Sequence, residues 1–274
     1  MPREFDHHEP ILMGYPFYRE YRQGLHTKAE YGAFLDRIDG ELGERGILPY
    51  QRRCYHWVQA DDLQNVRDMM AALGLTGYDE AAYQAFKAQV EAKMCWDPFS
   101  TSIYPDEERV AYALSMAVQP RRVFVAGSYF AYWAIFLLPG VMRAGGHVTL
   151  SDPNPAVCEL AQRNLEAMGV ADFVTVRAED AEKLLQQDEQ AYDLFVLDAT
   201  GPRDHPLPTH RGKAIFNPLT RAALPHLHRG SYVLVHNHEI DDPDIAPMLQ
   251  MLTAASDARL HMESYNCMGA YRIG

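Results

Sequence analysis

Several polar residues stand at the ends of apolar runs, where buried strands would carry them to one edge of a sheet. Asp152 closes His147-Val-Thr-Leu-Ser, Asp198 closes Tyr192-Asp-Leu-Phe-Val-Leu, and His236 and His238 follow Val233-Leu-Val. Upstream, Arg122-Val-Phe-Val-Ala runs into Gly127-Ser128-Tyr129. A glycine turn after a strand lets backbone approach a ligand, and an acid closing the next strand can take two ribose hydroxyls. A nucleoside cofactor is the chemistry this spacing suggests. His236 and His238 share one face of an extended chain, and an imidazole has a pKa suited to base catalysis. Either could deprotonate a hydroxyl or amine. The alternative, a divalent metal held by Asp198 and the two histidines, lacks the oxygen-rich ligation that magnesium and calcium prefer, and no metal is expected. Asp6-His7-His8-Glu9 has ligand-like residue types, but a chain terminus is seldom held in place.

The elements that must position these residues change character along the chain. Up to about residue 120 the apolar spacing is helical: Tyr31 to Leu42, Leu63 to Leu73 with Asp61 or Asp62 as cap, Tyr83 to Met94, and a helix opening at Pro105-Asp106-Glu107-Glu108. Beyond it, strands are expected at 122–126, 147–152, 173–177, 192–198, 231–237, 259–264 and 268–273. Helices are expected near 130–138, ended by Pro139-Gly140, and at 155–168, 181–187, 213–227 and 243–255. Alternation of this kind implies a mostly parallel sheet covered on both faces. The last two strands are joined only by a turn at Tyr265-Asn266, so they should form an antiparallel hairpin. The division expected is a helical lid or substrate domain over 1–118 and a nucleoside-binding domain over 119–274.

Composition narrows the partners. A formal net charge of −12 argues against nucleic acid, because phosphate binding needs clustered Lys and Arg. No run approaches the length of a membrane span, and residues 1–10 lack the apolar core of a signal peptide. Cys54, Cys95, Cys158 and Cys267 are scattered, as reduced thiols are. The expectation is a cytoplasmic protein with a small-molecule substrate, no membrane or nucleic-acid partner, and a homodimer as one possible assembly.

Taken in order, these features resemble the class I S-adenosylmethionine (SAM) dependent methyltransferases over about residues 105–274. The resemblance implies a Rossmann-like α/β fold, a mostly parallel seven-stranded sheet with an antiparallel C-terminal strand, and SAM as cofactor. Gly127 matches the first glycine of the cofactor loop, with Ser128 and Tyr129 beside it. Asp152, followed by Pro153 and Asn154, matches the ribose-binding acid. Ala178-Glu179-Asp180 matches the segment that reads the adenine amino group. Asp198 matches the position facing the reacting centre. The family's loop reads acid-x-Gly-x-Gly-x-Gly, whereas this chain has Val125, Gly127, Tyr129 and Ala131. The acid that helps hold the cofactor's ammonium group is therefore missing, which makes Asp106, Glu107 and Glu108 candidates to replace it. Tyr129, Phe130, Tyr132 and Trp133 could present an aromatic face to the sulfonium. An NAD site fits less well, since Gly127-Ser-Tyr-Phe-Ala-Tyr lacks two of the three glycines a dinucleotide needs.

Two reactions are compatible with that resemblance. The first is O- or N-methyl transfer to a small molecule by in-line displacement at the sulfonium methyl. The second is transfer or cyclisation of the aminobutyrate arm of SAM with release of methylthioadenosine, as in nicotianamine-synthase-like and azetidine-forming enzymes, whose layout is also similar. There Tyr104, Tyr129 and Asn154 would position the arm. Loops Thr200–Gly212, with His205, His210 and Arg211, and Met94–Tyr104, with Trp96 and Phe99, are expected to cover the site.

Overall fold

The computed structural model describes residues 9–23, 25–47, 63–264 and 266–274. Asp6, His7, His8, Cys54, Asp61, Asp62 and Tyr265 lie outside them.

Seven strands form one sheet: β1 (Arg122–Ala126), β2 (His147–Ser151), β3 (Val174–Arg177), β4 (Tyr192–Leu197), β5 (Leu227–His236), β6 (Ser256–Met262) and β7 (Met268–Ile273). Their order across the sheet is β3-β2-β1-β4-β5-β7-β6. β1 to β5 pair in parallel, and β7 enters antiparallel between β5 and β6. The expected mostly parallel sheet with an antiparallel C-terminal strand is thus observed.

The apolar runs in the central strands arise because both faces are covered. Val123, Val125, Leu194, Val196 and Leu234 enter one core, while Phe124, Ala126, Phe195, Leu197, Val233 and Val235 enter the other. Each fully buried side chain of this size contributes roughly 1.5–3 kcal/mol. The second core is closed by Leu185, Phe216, Leu219, Met248 and Leu252 from helices Ala181–Gln187, Phe216–Ala223 and Ala246–Ala255.

The first core draws on helices Gln64–Leu73, Glu80–Lys93 and Pro105–Val118 through Val66, Met69, Tyr83, Val90 and Val110. These helices therefore share the sheet's own core. Among the described residues, Leu12, Tyr18, Tyr31, Phe34 and Leu42 form a separate apolar cluster.

One boundary differs from expectation. Pro139 and Gly140 do not end a helix; they belong to the first turn of Leu138–Arg143, which follows a short helix at Tyr132–Ile135. Proline is tolerated there because its missing N–H has no helical partner to lose. A Cβ on Gly140 would lie 2.0 Å from the Ser115 carbonyl oxygen, so the glycine lets this helix rest against Pro105–Val118. It is a packing contact, invisible to local turn chemistry.

Candidate functional site

A cavity of about 640 Å³ opens at the carboxyl ends of β1, β4 and β5, where ligands enter parallel sheets. Gly127, Ser128, Tyr129, Asp152 and Asp198 line it, as do Val125, Tyr132 and Trp133. Residues 100–103 form another wall, joined by Thr200, Lys213, Asn237, Glu239, Asp242 and Asn266.

The turn after β1 has the geometry the glycine promised. Gly127 has φ +82°, and a Cβ there would stand 2.4 Å from the Ala199 Cα. The Gly127 and Ser128 N–H groups donate to the Ser151 carbonyl at 2.9 and 3.0 Å, tying the turn to the end of β2. Tyr129 and Ala131, at the family's other glycine positions, also have positive φ, +49° and +69°. A left-handed non-glycine residue costs roughly 1–2 kcal/mol, a strain typical of functional sites.

Asp152 lies at the floor of this turn. Its Oδ2 accepts from the Tyr129 N–H at 3.1 Å and its Oδ1 from the Asn154 N–H at 3.0 Å. Each carboxylate oxygen keeps a further lone pair. Burial raises the Asp152 pKa, the two backbone N–H groups oppose that shift, and the Asp198 charge adds to it. Ser128 is 6% exposed, and its hydroxyl, on the cavity wall, has no hydrogen-bond partner among the described residues. A buried hydroxyl without a partner costs about 1–3 kcal/mol, which a polar group in the cavity would offset.

Asp198, His236 and Glu107 form a buried charged row beside the cavity. His236 Nδ1 is 2.9 Å from Asp198 Oδ1, and His236 Nε2 is 3.4 Å from Glu107 Oε2. The imidazole side chain is 1% exposed and the Glu107 side chain 0%. Burial alone would lower the His236 pKa, but the Asp198 and Glu107 carboxylates outweigh it and raise it to about 10. Asp198 is held below the usual carboxylate range: burial opposes this, and His236 and then Lys213 overcome it. Both ring nitrogens of His236 face acids, which favours its charged form. Its Nε2 makes no hydrogen bond among the described residues, and the ring is not on the cavity wall.

His238 is also placed away from the chemistry. It is buried between β5 and the β6–β7 pair, with Nδ1 3.0 Å from His261 Nδ1 and Nε2 2.5 Å from the Tyr271 hydroxyl. Burial and then the His261 charge lower its pKa to about 4. It is neutral at physiological pH, but does not line the cavity.

The other expected residues divide. Tyr104 caps helix Pro105–Val118, its N–H donating to Glu107 Oε2 at 2.9 Å, and lies just behind the 100–103 wall. Asn154 and Asp180 cap the helices after β2 and β3 through bonds to the Ala156 and Lys183 N–H groups. Glu179 pairs with Arg177. Pro153, Asn154, Glu179 and Asp180 are not on the cavity wall.

Nor do the three acids ahead of β1 offer a carboxylate to the cavity. Glu107 also accepts from the Ser264 hydroxyl at 2.9 Å and the Asn266 N–H at 3.0 Å. Glu108 is bound by Lys87, Tyr83 and Tyr132, and Asp106 accepts from Asn65.

Of the two covering segments, 94–104 supplies a wall and 200–212 mostly does not. Asn164 grips Cys95 by both its N–H and its carbonyl, at 2.8 and 2.9 Å, and so fixes the path of the first. In the second, Gly201 and Gly212 bond to each other and His210 turns to Glu182, leaving Thr200 on the cavity.

Sequence reasoning missed Lys213, Asn237 and Asn266. Lys213 was hidden because it follows a long loop, although it is the lysine at the start of the next helical segment, past Gly212. Its Nζ donates to the Ala199 carbonyl at 3.0 Å and lies 3.6 Å from Asp198 Oδ1.

No protein-family model and no curated protein matches this sequence. Among solved structures, the chain is similar to a candidate O-methyltransferase from Klebsiella pneumoniae, with TM-score 0.53 and 16% identity over 76% of this chain and 95% of that one. It is similar to an O-methyltransferase from Bacillus cereus in complex with S-adenosylhomocysteine (TM-score 0.50, 18% identity, 80% and 99% coverage). A third is TomG from Streptomyces achromogenes, an O-methyltransferase of tomaymycin synthesis in complex with SAM (TM-score 0.50, 20% identity, 78% and 99% coverage). At these identities the likeness establishes the fold: a Rossmann-like sheet of the class I SAM-dependent methyltransferase type.

Proposed function

We propose that this chain is a SAM-dependent enzyme that methylates an oxygen or nitrogen of a small molecule. The observation that carries the reading is the set Gly127, Ser128 and Asp152 on one cavity wall: a close-approach turn, a buried hydroxyl lacking a partner, and an acid with lone pairs to spare. These residues fit a nucleoside cofactor. Asp152 would hold the ribose, the Gly127–Tyr129 backbone would lie along the cofactor, and Ser128 would bond a polar group of it. SAM supplies a methyl group on a cationic sulfur, which leaves as a neutral thioether when an acceptor lone pair takes the carbon. Trp133 and Tyr132 line the cavity and contribute aromatic surface suited to a sulfonium.

A small acceptor is supported by the cavity's size, within the roughly 300–1,000 Å³ usual for small-molecule sites, and by the wall at residues 100–103. Calorimetric titration with S-adenosylhomocysteine tests the cofactor assignment. Saturable binding that D152N weakens is expected; no binding to the wild-type protein would overturn it.

A second reading, displacement at the aminobutyrate arm, is favoured by one observation. Val125, apolar and 2% exposed, lines the cavity at the family's acid position, so the loop offers the methionine ammonium no carboxylate. The arm would then lie differently, and the product would be methylthioadenosine. The two readings share the cofactor site and part only at the product.

A further inference from the structure

His236 faces acids with both ring nitrogens and is not on the cavity wall. Lys213 occupies the cavity wall at the end of the row just described. From the wall inward the ionisable groups run Lys213, Asp198, His236, Glu107, separated by 3.6, 2.9 and 3.4 Å. Alternate members are a base and an acid. The row begins on the cavity and ends on a carboxylate with no exposure, itself pinned by Ser264, Asn266 and Tyr104.

Asp198 and the Ala199 carbonyl face the Lys213 Nζ from the end of β4, and the Phe216 ring centroid lies 4.9 Å away on its own segment. Asp152, Glu239 and Asp242 share the cavity wall. His236 is faced by Asp198, Glu107 and, at 5.2 Å between centroids, the Trp133 ring.

We propose that Lys213 is the catalytic base of the transfer and that His236 and Glu107 are positioning residues acting on it through Asp198. The inference rests on the methyl-transfer reading. The acceptor's O–H or N–H bond breaks as its lone pair is committed to the methyl carbon, and the proton passes to the Nζ lone pair, converting a neutral amine to an ammonium. Asp198 then stabilises that ammonium, as a carboxylate stabilises the cation formed by a catalytic base.

The physical case is a balance of fields. A lysine is a useful base only when its charged form is penalised, as happens on burial. Burial does lower the Lys213 pKa, against the opposing pull of Asp198. Asp198 alone would fix the ammonium as a permanent ion pair. His236 Nδ1 approaches the same Asp198 oxygen at 2.9 Å, closer than Lys213 at 3.6 Å, and so competes with Lys213 for it.

The test needs no knowledge of the acceptor. The sequence has five lysines, 28, 87, 93, 183 and 213, so 13C-methyl labelling by reductive methylation gives a readable NMR titration. K213R identifies the Lys213 signal by its loss. The wild-type Lys213 signal should titrate at lower pH than the other four. H236Q, by freeing Asp198 and removing a positive neighbour, should move it to higher pH, and D198N should move it lower. A Lys213 signal titrating with the others or above them, or variants shifting it in the reverse directions, would overturn the proposal.

The same samples are titrated calorimetrically with S-adenosylhomocysteine. Failure to bind would overturn the cofactor reading and this inference with it. Binding with an ordinary Lys213 titration would sink the base assignment alone.

Discussion

The Glu107–His236 contact makes a stability prediction that is specific in size and in pH. E107Q keeps the side chain's volume and removes its charge. His236 would be left as a buried imidazolium with one acid instead of two, and an amide N–H₂ would replace one of the two oxygens, of which Oε2 now accepts from the Tyr104 N–H and Oε1 from the Ser264 hydroxyl and the Asn266 N–H. Breaking a buried pair by removing one partner costs about 3–5 kcal/mol. That is a large part of a typical stability of about 5–15 kcal/mol. The cost depends on the His236 proton. Its folded pKa of about 10 exceeds the unfolded value of 6.5, so its stabilising contribution is full below pH 6.5 and is lost as pH rises through 10. Urea denaturation of wild type and E107Q at pH 7 and pH 10.5 should show a deficit of several kcal/mol at the lower pH and a clearly smaller one at the higher. A deficit independent of pH, or below about 1 kcal/mol at pH 7, would refute the account of the row as ionic.

Other sites give predictions of different kinds. G127A places a methyl 2.4 Å from the Ala199 Cα at φ +82°, so S-adenosylhomocysteine binding should be lost and the melting temperature lowered, by calorimetry and thermal scanning. D152N should reduce affinity for the same ligand by roughly ten- to a hundredfold while leaving the fold intact, because hydrogen bonds to a charged group contribute about 1.5–3 kcal/mol. N164A removes both bonds to Cys95 and should destabilise by about 1–3 kcal/mol, with new proteolytic cleavage within 94–104. His238, with a folded pKa of about 4, stabilises above pH 6.5 and loses that contribution as pH falls toward 4; urea midpoints for H238Q should therefore depend less on pH over this interval.

What could be read from the sequence followed from local causes. Apolar runs ending on Asp152 and Asp198 located β2 and β4 because a sheet covered on both faces leaves no polar position until the strand emerges. Helices Pro155–Met168 and Ala181–Gln187 have the expected boundaries, the first opened by its proline and closed by Gly169, whereas the capping by Asn154 and Asp180 was not foreseen. The failures have non-local causes. His236 and His238 have the same residue type, yet Asp198 and then Glu107, distant in sequence, raise the pKa of the first, while burial beside His261 lowers that of the second. Lys213 reaches Asp198 only because Gly201 and Gly212 pinch the intervening loop. A charge row assembled from four separated segments leaves no periodic trace in any one of them.

The most direct test of methyl transfer is the fate of SAM labelled with 13C at its methyl group, incubated with the protein and a pool of small phenols, alcohols and amines and followed by mass spectrometry. The account predicts S-adenosylhomocysteine only when acceptors are present, with the label appearing on one of them. Methylthioadenosine above the no-enzyme background, still carrying the labelled methyl, would contradict it and establish chemistry at the aminobutyrate arm.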